Sequence, residues 1–90
     1  MSREIWKFAI EAVSASTILI PAEAVILSVQ EQHGLIRAWV LLNPEDSREP
    51  RRVLIVGTGH DIPPEAFRFI NTFQMDGGNY VFHAFEGHRP

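Results

Sequence analysis

The sequence predicts an all-β protein, a small β-sandwich or partly open barrel of about seven short, mainly antiparallel strands. Apolar and polar residues alternate with a period of two in several short segments, which is typical of half-buried strands. Turn-forming residues separate these segments about every 8–12 residues, the spacing of an antiparallel sandwich or barrel. Ninety residues predict a single domain, residues 1–90, with a thin core.

The first two predicted strands are residues 5–11 and 17–21. In residues 5–11, three apolar side chains share one side of the segment: Trp6, Phe8 and Ile10. Residues 12–16 are mostly small and predict a turn. Residues 17–21 form a second strand that ends at Pro21, because proline has no N–H group to give to a ladder.

The third and fourth strands form a hairpin. Residues 24–30 and 35–42 flank Gly34, which can adopt the positive φ that a tight connection requires. The fourth strand is largely apolar on both faces, and Trp39 lies on one of them. A strand that is apolar on both faces is covered on both. We therefore expect a second subunit to cover one face, which makes the protein a homo-oligomer.

Prolines and charged residues dominate residues 43–52, NPEDSREPRR, which predicts an exposed loop. Residues 51–56 then form a fifth strand that leads into the segment GTGH at residues 57–60. After Pro63 and Pro64, one short helical turn is predicted near residues 64–70, since proline is tolerated at the start of a helix.

The last two strands form a second hairpin. In residues 67–75, Phe67, Phe69 and Phe73 would all lie on one face of a strand, which favours a strand. The spacing of the apolar residues also fits a helix. Residues 76–79, DGGN, have the composition of a hairpin turn, and residues 80–86 return as the alternating strand YVFHAFE. Residues 86–90 are predicted to be a frayed tail.

Composition argues against several classes of function. The formal net charge is −3, so general attraction to nucleic acid or to an anionic membrane is not expected. No apolar run approaches the ~20 residues that span a bilayer, and the N-terminal residues do not resemble a signal peptide. The chain has no cysteine, so disulfides and Cys-containing zinc sites do not contribute. We expect a cytoplasmic protein without a cofactor.

Five segments together resemble a family of short, uncharacterised proteins encoded by bacteriophages and prophages. They are IWKF, ILSVQEQHG, VLIVGTGHDIP, INTFQ and YVFHAFE, and the resemblance extends from Ile5 to Glu86. The chain departs from the family in its longer DGGN turn and its GHRP tail. The resemblance implies a virus-related setting in a bacterial host and a compact β fold, and it implies no activity.

The segment GTGH is the first candidate for a ligand site. Gly57 and Gly59 permit the main chain to turn so that successive N–H groups face one point and hold an anion. Thr58 and His60 would add polar side chains, and Arg52 in the preceding strand would reach the charge. The alternative is a bulge or tight turn in which glycine only supplies positive φ.

Arg37 and Trp39 share one face of the fourth strand and are further candidates for the same ligand site. Arg37 is the alternative to Arg52 for the charge. Trp39, or Tyr80 near Asn79, would supply the aromatic ring. An aromatic ring beside a guanidinium is a platform on which a planar base can stack. Core packing is the alternative for the aromatic residues. Amide and hydroxyl side chains in predicted strands suit a polar pocket or a subunit interface better than a dry core: Gln30, Gln32, Asn71, Thr72 and Gln74.

Neither catalytic residues nor metal ligands are predicted. No serine lies in a G-x-S-x-G context, and Asp61 cannot easily orient the adjacent His60, because neighbouring residues of an extended chain point to opposite faces. The four histidines lack the spacing of a metal site, and His83 is predicted to be hydrogen-bonded on a sheet face.

Three functions are compatible with the sequence. The first is an oligomeric, non-enzymatic binding protein that holds a small anionic ligand, such as a nucleotide, near GTGH. The second is an inhibitor or accessory factor that binds a host or phage protein through a sheet edge or through residues 43–52. The third is a small hydrolase that uses His60.

Overall fold

The computed structural model describes residues 2–11 and 14–88, which form two antiparallel sheets packed face to face. The strands are β1 (Glu4–Ala9), β2 (Ala15–Pro21), β3 (Val25–Gln32), β4 (Leu35–Leu42), β5 (Arg48–Gly57), β6 (Ala66–Met75) and β7 (Tyr80–Gly87). One sheet has the order β1-β4-β3 and the other β2-β5-β7-β6. The predicted all-β fold is confirmed. A sandwich and a partly open barrel were both predicted, and the structure is an open sandwich.

The core lies between the sheets and follows the period-two alternation. The four residues of β4 at alternate positions that face inward are all buried: Ile36, Ala38, Val40 and Leu42. Ile18 and Ile20 of β2 and Val53 and Ile55 of β5 face them from the other sheet. Trp6 and Phe8 of β1 pack against this core on their predicted side.

The β3–β4 hairpin turns at His33 and Gly34, both with positive φ (53° and 81°), as the glycine predicted. β3 also carries a bulge at Leu27, since Ile26 pairs with Val40 while Ser28 pairs with Trp39. The bulge returns Val29 to the inward face opposite Ala38.

The predicted exposed loop at residues 43–52 is wrong in its second half. Residues 48–52 belong to β5, where they pair with residues 17–21 of β2. Pro50 is tolerated because the ladder between β5 and β7 ends at Val53, so no partner strand needs its missing N–H group. The proline is compatible with a strand here because it lies in the first part of β5, which has a neighbour on one side only.

Residues 58–65 cross over the outer face of the four-stranded sheet. β5 and β6 are both antiparallel to β7 and lie on either side of it, so they run parallel to each other. The chain must therefore return over β7 between Gly57 and Ala66. Leu54 and Val56 are buried although they alternate with the core residues of β5, and this crossover segment explains their burial.

Two further expectations need correction. Residues 64–70 contain no helical turn, because the chain turns from Pro63 to Ala66 and then extends as β6; the short 3₁₀ turn is at Asp76–Gly78, within the predicted DGGN turn. Of the predicted frayed tail at residues 86–90, residues 86 and 87 belong to β7 and the His88 N–H donates to the Glu65 carbonyl, while residues 89 and 90 lie outside the described residues. Of the predicted turn at residues 12–16, residues 12 and 13 lie outside the described residues, and Ala15 and Ser16 belong to β2.

Candidate functional site

A pocket of about 280 Å³ lies under the bend that ends β5, and we call it the bend pocket. Its floor is the outer face of the four-stranded sheet, and the bend and the crossover segment form its other walls. The lining residues are Val56, Gly57, Thr58, Gly59, His60, Ile62, Phe69, His83 and Phe85. Four of the nine are large apolar residues, so the pocket offers an apolar surface with a polar rim.

The bend is a tight turn closed by a hydrogen bond from the His60 N–H to the Gly57 carbonyl (3.1 Å). Gly59 occupies its third position with φ of +89°, which a residue with a Cβ rarely adopts. A Cβ built on Gly59 would meet no atom within 4 Å, so the bend faces open space. The glycine is therefore required for backbone geometry, as the turn interpretation of GTGH proposed.

Two of the four N–H groups proposed as an anion nest have main-chain partners. The Thr58 N–H donates to the Val81 carbonyl (3.3 Å) and extends the ladder between β5 and β7 by one residue. The His60 N–H closes the turn. A bound anion would have to compete with these bonds, whereas the side chains at the rim face the pocket directly.

A chain of hydrogen bonds fixes the imidazole of His83 at the pocket floor. The Thr58 hydroxyl donates to the Val81 carbonyl (3.2 Å) and lies 2.8 Å from His83 Nε2. Because its single proton goes to Val81, the hydroxyl accepts from Nε2–H. With the ring proton assigned to Nε2 in this way, Nδ1 accepts from the Thr72 hydroxyl, 2.9 Å away. The predicted hydrogen-bonded state of His83 is confirmed, and the ring can present its face to a ligand.

Arg52 lies on the same outer face, where Glu65 engages it. Its Nη2 donates to Glu65 Oε1 (2.6 Å), and its Nη1 donates to the Thr17 hydroxyl (3.2 Å). Hydrogen bonding to Arg52 lowers the pKa of Glu65 below its ordinary value of 4.5, and the same interaction raises the pKa of Arg52. This ion pair fastens the end of the crossover segment to β5.

The second pair of predicted site residues lies elsewhere. Arg37 and Trp39 are half-buried on the outward face of β4, in the three-stranded sheet, and they are not lining residues of the bend pocket. Trp39 lies opposite Lys7 of β1 and Ser28 of β3, and Arg37 lies opposite Gln30. The structure thus separates the predicted site into two surfaces on opposite sheets.

Sequence reasoning missed the apolar part of the pocket: Val56, Ile62, Phe69 and Phe85. The alternation in YVFHAFE places His83 and Phe85 on one side, so part of the signal was present. The missing information was the register that sets Val56 opposite His83 and Phe69 opposite Phe85. Of the polar strand residues, Thr72 joins this site, whereas Asn71 bonds to the main chain of β3.

The described residues offer neither a metal-binding cluster nor a membrane-spanning helix. They contain no group of three or more histidine and carboxylate side chains placed to hold a metal ion. Within residues 2–11 and 14–88, no helix has the length and apolar character needed to cross a membrane.

Comparison with known proteins identifies a family without a known activity. The model of a domain of unknown function (DUF7352) matches residues 1–90, so the chain belongs to this family. No curated protein and no solved structure matches the chain.

Proposed function

We propose that this protein is a non-enzymatic binding protein that holds a small anionic ligand with a planar ring, such as a nucleotide, in the bend pocket. In this proposal the protein is phage-encoded and acts in the cytoplasm of the bacterial host. There it counters defence by sequestering a nucleotide. The observation that carries the proposal is the combination of an apolar, aromatic-walled pocket with the polar rim of GTGH.

The pocket walls suit the edge and face of a heterocycle. Phe69 and Phe85 meet edge to face, with ring centroids 5.4 Å apart and planes at 66°, so they wall the pocket at two angles. Val56 and Ile62 add aliphatic surface. Binding pockets for small molecules commonly combine such apolar walls with a few polar groups that fix orientation.

The charged end of the ligand would lie at the rim. His60 is exposed there, and its imidazole can donate a hydrogen bond to a phosphate oxygen. Arg52 lies on the same face, but it would have to exchange Glu65 for the ligand. We therefore expect the ring to contribute more affinity than the phosphate.

The alternative function is binding of a host or phage protein, and the outward face of the three-stranded sheet favours it. Four large apolar residues of this sheet are more than two-fifths exposed: Ile5, Val25, Leu27 and Leu35. They lie around Trp39, Arg37 and Lys7, and an exposed apolar area of this kind is typical of a protein-binding surface.

Substitution of Phe69 tests the proposed ligand site. The native protein is titrated with AMP, GMP, CMP and UMP, and the thermal unfolding midpoint is measured. Ligand at about 100 times its Kd adds about 2.7 kcal/mol to the free energy of unfolding, which is a shift of about 11–22 °C in a domain of this size. We expect at least one nucleotide to produce this shift, and F69A to abolish it.

Phe67 provides the matched control. It lies in the same strand and is exposed to the same extent as Phe69, 52%, but it stacks on His88 outside the bend pocket. F67A should therefore keep the ligand-induced shift. No shift with any of the four nucleotides, or equal loss in both variants, would contradict the proposal. Intact nucleotide recovered after denaturation supports sequestration, and its hydrolysis, abolished by H60A, would support the hydrolase instead.

A further inference from the structure

We propose that the free edge of β2 pairs with β2 of a second copy of this chain, antiparallel and about a two-fold axis. The result would be one continuous eight-stranded sheet across a dimer. No residue of β2 lines the bend pocket, so the dimer does not depend on the proposed ligand.

The hydrogen-bond pattern shows which main-chain groups face this edge. The Ile55 N–H donates to the Ser14 carbonyl and the Ala22 N–H donates to the Ser47 carbonyl, which makes the even-numbered residues of β2 the hydrogen-bonded partners of β5. In an antiparallel ladder the alternate residues point their N–H and C=O groups the other way. Ala15, Thr17 and Leu19 therefore direct these groups to the free edge.

Two copies of this edge complement each other. When Thr17 lies opposite Thr17 of the second copy, the two residues exchange N–H and C=O groups, and Ala15 does the same with Leu19. The Leu19 carbonyl already accepts from Arg48 Nη1 (3.1 Å), and its second lone pair remains for the Ala15 N–H. A two-fold axis through the Thr17 pair satisfies all of these groups with identical strands.

The side chains of β2 also fit pairing. Residues 15–20, ASTILI, carry no charge and include β-branched residues, which favour strand pairing. Leu19 is 61% exposed on the outer face, and pairing would place it opposite the small Ala15 and partly cover it. Natural proteins protect edges with charges, bulges or covering groups, and at the edge of β2 the Arg48 side chain contacts the Leu19 carbonyl.

The edges of β1 and β3 differ from that of β2. β1 carries Glu4 and Lys7, and the Lys7 side chain, which lies on the outward face, donates to Gln32 Oε1 (2.7 Å). β3 has the bulge at Leu27, and the side chain of Asn71 occupies both main-chain groups of Val29. β6, the other edge strand of the same sheet, has two register shifts and carries the charged Arg68. The edge of β2 is thus the best template for a second copy.

The proposed dimer is tested with a proline at the edge. We expect the full chain to have twice the 10.2 kDa mass of one copy in native mass spectrometry and light scattering at micromolar concentration. T17P should convert it to a monomer. The Thr17 N–H has no role in the ladder with β5, so the variant should remain folded, which circular dichroism checks.

K7P is the matched control, because Lys7 also directs its N–H group to a free edge. The Ile10 N–H donates to the Ile36 carbonyl, so the odd residues of β1 face away from β4. We expect K7P to stay dimeric. In wild type, the Thr17 amide should exchange with deuterium at least about tenfold more slowly at concentrations where the dimer forms than at dilutions where it dissociates. A monomeric wild type, a dimeric T17P, or dissociation of both variants would overturn the proposal.

Discussion

The two long sides of the sandwich are closed in different ways. At the β3–β6 side the sheets approach each other, with Cα atoms within 8 Å, and side chains of β6 bond to the main chain of β3. At the β1–β2 side Arg48 reaches across, stacking over the rings of Trp6 and Phe8 at 5.5 and 5.8 Å. An open sandwich can therefore protect one side with its own polar side chains and leave the other available for pairing.

The closed side is a hydrogen-bonded seam. Asn71 uses both ends of its amide: Oδ1 accepts from the Val29 N–H (2.7 Å) and Nδ2 donates to the Val29 carbonyl (2.8 Å). Arg68 donates to the Ile26 carbonyl (3.2 Å) and to Glu86 Oε1 (3.0 Å). These side chains act as a substitute for the strand that the edge of β3 lacks.

Glu86 is the centre of this closed side, and its substitution should have the largest effect. It is 2% exposed and accepts from Arg68 and from Arg51 Nε (2.6 Å), while Arg51 Nη1 donates to the Ala24 carbonyl (3.0 Å). E86Q leaves Arg51 buried without its counter-ion, so we expect a loss of about 3–5 kcal/mol in the free energy of unfolding. Urea unfolding measures this loss.

The double variant R51M/E86L serves as the control for Glu86. Replacing a whole buried ion pair with apolar residues of similar size is often neutral, so this variant should be more stable than E86Q. If E86Q unfolds within about 1 kcal/mol of wild type, the buried ion pair does not hold this side together.

Alanine substitutions of Asn71 and Arg48 compare the two sides directly. N71A leaves the buried main-chain groups of Val29 unpaired, which costs about 1–3 kcal/mol. R48A removes an exposed cation–π contact and one carbonyl bond, which costs about 0.5–1 kcal/mol. Chemical denaturation gives both values, and amide exchange of Val29 should accelerate in N71A only. Equal losses in the two variants would contradict the difference between the sides.

The smallest effect is expected from the Arg52–Glu65 pair, which lies on the outer face away from both sides. Arg52 lowers the pKa of Glu65, so this interaction stabilises the fold above the ordinary pKa of 4.5 and is lost as the pH falls through the lowered value. The unfolding midpoint of wild type should therefore exceed that of E65Q at pH 7, and the difference should disappear at strongly acidic pH.

Val29 provides the control for this pH experiment. Its amide exchange should be the same in E65Q and in wild type, since Glu65 acts on Arg52 at the outer face of the other sheet. A difference between the two midpoints that grows as the pH falls would show that Glu65 does not act through its charged form.

The candidate site was predicted in part. The two glycines of GTGH marked the bend, and of these Gly59 has the positive φ that favours glycine, whereas Gly57 ends β5. Arg52 was predicted to reach the charge of a ligand, but its engagement with Glu65 could not be predicted, since the two residues meet only after the crossover over β7. Arg37 and Trp39 were assigned to the same site although they belong to the other sheet.

The sequence by itself determined the number of strands and the two hairpins, because alternation and turn chemistry act over a few neighbouring residues. Only the tertiary structure decided the strand order, the crossover of residues 58–65, and the polar side chains that close one side. The physical reason is that register and crossover bring together residues far apart in the chain, such as Val29 and Asn71, and no local pattern specifies such a pair.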